Sequence, residues 1–132
     1  MTNQAKISVP SVDISGELLD ANDILKMIID VSGYNKWSLS ESREITDDDK
    51  SNMWGGLHPE SLKEYYGVDV ELSQTKVHVF SRKSMGNGEI YSLNVQTMPG
   101  YVHVELDSGS YGYSSEKLIA NAQLRKYLKH QL

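Results

Sequence analysis

Between Tyr91 and Asp107 the chain reads apolar-polar-apolar twice over, and the two runs meet at Met98-Pro99-Gly100-Tyr101. That pattern leaves little freedom. A period of two sends alternate side chains to opposite faces of a pleated strand. Pro fixes φ and Gly tolerates positive φ, so the joining residues form a turn. If Met98 faces Tyr101, then Val95 faces Val104 and Leu93 faces Leu106 on one side. Gln96 then faces His103, Asn94 faces Glu105 and Ser92 faces Asp107 on the other. A slip of one residue would put every apolar partner on the polar side, so the register of this hairpin is an expectation of the sequence alone.

Two earlier runs, Val68–Leu72 and Lys76–Phe80, alternate in the same way. The four together predict a meander over residues 68–107. A short turn at Ser73-Gln74-Thr75-Lys76 would set Leu72 against Val77 and Val70 against Val79, with Glu71 opposite His78. One-sided alternation is the mark of antiparallel sheets with one solvated face, so Glu71, His78, Asn94, His103, Glu105 and Asp107 are expected on a wet face. Trp37–Ile45 also alternates and supplies a fifth strand, although Glu41 and Arg43 fall in its apolar register. Ile7–Ile14 is strand-like but carries Pro10, which suits an edge strand or an extended arm.

Helices are predicted from their ends. For Leu18–Gly33, Asp20 is the N-cap, Asp23 sits at N3, Leu19 and Ile24 form a hydrophobic staple, and Gly33 is the left-handed C-cap. Ile24, Leu25, Ile28 and Val31 follow helical spacing, with Met27 and Ile29 widening the stripe. Pro59–Tyr66 has Pro at its first position, His58 at the N-cap and Gly67 beyond its end. A last helix is expected from a cap at Ser114 or Ser115 to about Lys129. The fold class is therefore α+β: a single domain over residues 1–132 with an antiparallel sheet of about five strands (meander 68–107) and about three helices packed on one face.

Composition narrows the function. The 132 residues include no cysteine and carry a formal charge of −5. Residues 1–66 hold 6 Lys and Arg against 12 Asp and Glu, while residues 67–132 hold 7 against 6. An acidic half without a basic stripe argues against nucleic acid, which is bound by neutralising phosphates. No run approaches the ~20 apolar residues that span a bilayer, and the first residues lack a secretory h-region. A cytoplasmic protein with no membrane partner is expected. The Gly-x-Gly-x-x-Gly, P-loop, His-Glu-x-x-His and Gly-x-Ser-x-Gly signatures do not occur, and no cofactor or metal is called for. Asp47, Asp49 and Ser51 alternate as in a calcium loop, but the mid-loop Gly and distal Glu are missing.

Two candidate sites follow. The acidic run Asp47-Asp48-Asp49 lies near Trp54, and the loop after the meander presents Tyr111 and Tyr113. Carboxylates beside large aromatics have the make-up of a protein interface, although Trp54 is equally suited to plugging the core. These residues point to a non-catalytic, protein-binding module: an immunity-type inhibitor that occludes a basic partner protein, drawn to it by opposite charge. The alternative is a small-ligand-binding protein or hydrolase that uses Glu71, His78, His103 and Glu105 on the wet face. A structural subunit of a larger assembly, with the Pro10 arm adding a strand to a neighbour, is the third reading; a homodimer is a separate expectation for the partner.

Overall fold

In a computed structural model, residues 18–51, 56–83, 90–107 and 114–132 are described. Five antiparallel strands form one sheet in the order β1-β2-β3-β4-β5: β1 Ser38–Glu44, β2 Lys76–Lys83, β3 Ile90–Met98, β4 Tyr101–Asp107 and β5 Ser114–Ala120. The helices are α1 Ala21–Ser32, α2 Pro59–Tyr66 and α3 Leu124–Gln131. The α+β class and the five-strand antiparallel sheet are as expected.

The β3–β4 hairpin has the register the alternation demanded. Leu93 faces Leu106, Val95 faces Val104, Gln96 faces His103 and Met98 faces Tyr101. Phe80 of β2 faces Leu93, and Leu39 of β1 faces Phe80, which continues one apolar row across four strands. Above this row lie Ile24 and Ile28 of α1 and Leu124 and Leu128 of α3, all fully buried. Each such side chain contributes on the order of 1.5–3 kcal/mol by leaving water. The ion pair between Arg125 and Asp30 ties the two helices at their exposed edge.

Both predicted helix starts are present. Asp20 accepts hydrogen bonds from the backbone N–H groups of Asn22 and Asp23, and Gly33 closes α1 at φ 70°. His58 Nδ1 accepts from the Glu60 N–H at 3.0 Å, and Gly67 closes α2 at φ 73°.

Three expectations are corrected. Residues 68–71 form no strand; they run extended into a 3₁₀ turn at Leu72–Gln74, where Gln74 Oε1 accepts the Glu71 N–H. The pairings proposed for this segment, including Glu71 with His78, do not occur. The place beside β2 is taken by β1, where Ser42 faces His78. The last helix starts at Leu124 rather than near Ser115, because residues 114–120 form β5. Leu118 and Ile119 are consecutive apolar residues that cover both faces of the sheet at this edge, a pattern shared by doubly covered strands and helices.

The helices also divide between the two faces, where all had been expected on one. The second face carries Val77, Gln96, Met98, His103 and Leu118. It is roofed by Leu57, Leu62, Tyr66, Val68 and Val70 from α2 and its flanks. No wet face remains at His103 and Glu105, which are 1% and 7% exposed. A bulge between Leu39 and Glu41 resolves the misfit in β1. The extra residue shifts Glu41 and Arg43 onto this second face, opposite Val79 and Val77, as bulges do.

Candidate functional site

The segment 47–71, whose α2 helix and its flanks roof the second face, holds seven Asp and Glu against two Lys. Its net of −5 equals the formal charge of the whole chain, so the other residues sum to neutrality. Asp47, Asp48, Glu60, Glu64, Asp69 and Glu71 are all exposed. Among them stands Tyr65, 57% exposed, with Leu72 close by in sequence at 37%. The ion pairs Lys50–Glu60 and Lys63–Asp69, each 3.3 Å, are exposed at both partners, and such pairs contribute little to stability.

Local contacts tie the acidic turn to its described neighbours. Residues Asp47–Ser51 form a 3₁₀ turn. Asp49 is buried, accepts the Thr46 N–H at 2.8 Å and pairs with Arg43 at 3.2 Å. This removes Asp49 from the exposed acidic surface on which it was expected. Asp47 Oδ1 lies 2.9 Å from His58 Nε2. Because His58 Nδ1 accepts a backbone proton, Nε2 carries the ring proton and donates it to Asp47. That hydrogen bond, with Lys50 nearby, holds the Asp47 carboxyl below the usual carboxylate range. His58 thus joins α2 to the acidic turn through both nitrogens. Asp48 is the member of the trio whose carboxylate is engaged by none of these contacts. Trp54, Tyr111 and Tyr113 lie outside the described residues. The flanks of the tyrosine loop, Asp107 and Ser114, sit at one end of the sheet, and Glu44, which leads to Asp47, sits at the other. The sequence had grouped the two.

The alternative site is divided by the sheet. His78 shares the α1 face with Val95 and Val104, while His103 and Glu105 point to the α2 face. Glu71 sits in the 3₁₀ turn before β2. His103 Nε2 lies 2.7 Å from Glu116 Oε2 and its ring tilts against Tyr66, with centroids 5.8 Å apart. Burial pushes the Tyr66 hydroxyl up to about 12, reinforced by Glu116 and Glu105. Within this cluster His103 is buried against Tyr66 of α2, while the Glu116 side chain is 55% exposed. Among the described residues, no three His, Asp or Glu side chains are placed to hold a metal ion.

Burial lowers the pKa of His103 against the opposing pull of Glu116, and lowers that of His78 with help from Lys76. The sign for stability follows. A histidine with a folded pKa below its unfolded value of about 6.5 binds fewer protons folded than unfolded. Its contribution is complete above that value and is lost as pH falls through it toward the folded pKa. The urea midpoint is therefore expected to drop as the pH is lowered from 7 to 5. The same drop should shrink in the double variant His78→Gln, His103→Gln. A wild-type midpoint that stays level or rises on acidification would contradict this assignment.

Tyr65 and the collective charge of 47–71 escaped the sequence reading. The signal was present in the charge count, had it been taken over this segment rather than over halves. Comparison with family models, with curated proteins and with solved structures finds no match to this chain.

Proposed function

We propose that the chain is a non-catalytic protein-binding module, an inhibitor of the immunity type, which presents the 47–71 layer to a basic partner protein. The observation that carries this reading is the concentration of negative charge in the segment 47–71, six of whose seven Asp and Glu are exposed, as is Tyr65. Opposite fields raise encounter rates by orders of magnitude at low salt. An exposed tyrosine with a charged surround has the composition of an interface anchor and its rim. The Asp47–His58 and Arg43–Asp49 contacts support the reading further, since a preformed surface loses less entropy on binding.

The test begins with affinity capture by the full chain from its native source, followed by kinetics with the purified partner. The partner should be basic. Glu60→Lys combined with Glu64→Lys should slow association about tenfold or more at low salt and flatten its salt dependence. Tyr65→Ala should mainly speed dissociation, at a cost of about 2 kcal/mol or more. An acidic partner, or one that binds both variants as it binds wild type, would remove the layer from the function.

A further inference from the structure

On the opposite side of the sheet, where β1, β2 and β3 run out beneath the first turn of α1, a cleft of about 580 Å³ opens. This is within the ~300–1,000 Å³ typical of small-molecule sites. Its walls come from Leu18 to Ala21 above, from Glu44, Lys76, His78 and Thr97 on the sheet, and from the turn at Ser73–Thr75.

His78 singles the cleft out. The residue is 7% exposed. Its Nδ1 is held by Ser42 Oγ at 2.7 Å, whereas Nε2 has no hydrogen-bond partner among the described residues and is not sealed from solvent. A buried ring is thus fixed by one nitrogen and offers the other to the cleft. Burial, with help from Lys76, lowers the pKa of the ring against the opposing pull of Asp20, which favours its role as a neutral hydrogen-bonding group.

The remaining groups define what would fit. Lys76 and Glu44 face each other on neighbouring strands but form no ion pair with one another. Asp20 uses Oδ2 to cap α1, leaving Oδ1 uncommitted. Leu18, Leu19 and Ala21 supply the apolar wall. A simple anion would meet two carboxylates, and a simple cation would meet the lysine. We propose that this cleft binds a small zwitterion of amino-acid or dipeptide size, its ammonium at Asp20 and Glu44, its carboxylate at Lys76, and a polar atom on His78 Nε2. The side chain of the ligand then lies over the leucines. The inference is independent of the acidic layer.

The experiment is an NMR titration of the isotopically labelled full chain with free amino acids and dipeptides. N-acetylated forms, which keep the carboxylate alone, and amidated forms, which keep the ammonium alone, serve as comparisons. At millimolar concentration at least one free zwitterion should shift the backbone signals of Ala21 and Lys76 and the His78 ring. Both blocked forms should bind at least tenfold more weakly. Lys76→Gln and Glu44→Gln, each at an exposed side chain, should weaken binding about tenfold with the thermal midpoint unchanged. Silence across the panel, blocked forms that bind as well as free ones, or variants that bind like wild type would each overturn the assignment.

Discussion

Gly56→Ala is expected to remove about 3–5 kcal/mol of stability, summing backbone strain with forced overpacking. Gly56 has φ 121°, a conformation that L side chains rarely adopt. A Cβ there would lie 2.4 Å from Val77 Cγ2 and 2.8 Å from Ile45 Cδ1. Both neighbours are buried, Val77 completely, so neither can swing aside into solvent. Gly33→Ala is the control. Gly33 also has positive φ, at 70°, but its Cβ would meet nothing within 4 Å, and the cost should be only the ~1–2 kcal/mol of left-handed backbone. Urea denaturation of the two variants separates strain from collision. Equal losses at the two sites would mean that the close approach of residue 56 to β2 is not as described.

The second large effect is at Gln96. Its side chain is 1% exposed and behaves as a piece of backbone. Oε1 accepts the Leu57 N–H at 2.7 Å, and Nε2 donates to the Leu57 carbonyl at 2.8 Å and to Thr75 Oγ1 at 2.9 Å. Thr75 passes its own proton to the Thr97 carbonyl at 2.8 Å. The amide therefore clips the segment before α2 onto β3 as a strand neighbour would. Gln96→Leu keeps the volume and leaves both polar groups of Leu57 buried without partners, at about 2–4 kcal/mol. Gln96→Glu retains an acceptor for the N–H but turns a carboxylate toward the Leu57 carbonyl. Its carboxyl should stay protonated when folded, so this variant should gain stability relative to wild type as pH falls. A Gln96→Leu protein with wild-type stability would show the clip to be dispensable. Gly56 and Gln96 together hold the α2 layer down, so both substitutions should also loosen that layer at temperatures below the global unfolding transition.

Much of the candidate surface was hidden from the sequence for one reason. Alternating polar residues on a strand look the same whether they meet water or a second layer. His103, Glu105 and Gln96 were assigned to a solvated face by their polarity, and burial under α2 reverses that assignment. Asp49 was grouped with Asp47 and Asp48 by adjacency, yet a 3₁₀ turn points it at Arg43 and the Thr46 N–H. Val68–Leu72 had the period of a strand, but it covers the second face without a ladder partner.

What the sequence determined by itself is what a few neighbouring residues can settle. The caps at Asp20, His58, Gly33 and Gly67, the turn at Pro99-Gly100 and the register of β3 on β4 are short-range matters, in which one pairing satisfies the local groups and its alternatives do not. The accumulation of negative charge between 47 and 71 is likewise fixed by the order of residues. Only the tertiary structure decided which strand lies beside β2, that residues 114–120 extend the sheet before α3 begins, and that α2 closes the second face. Those choices depend on buried area contributed by residues far apart in the chain, and local propensity is too weak to decide among them.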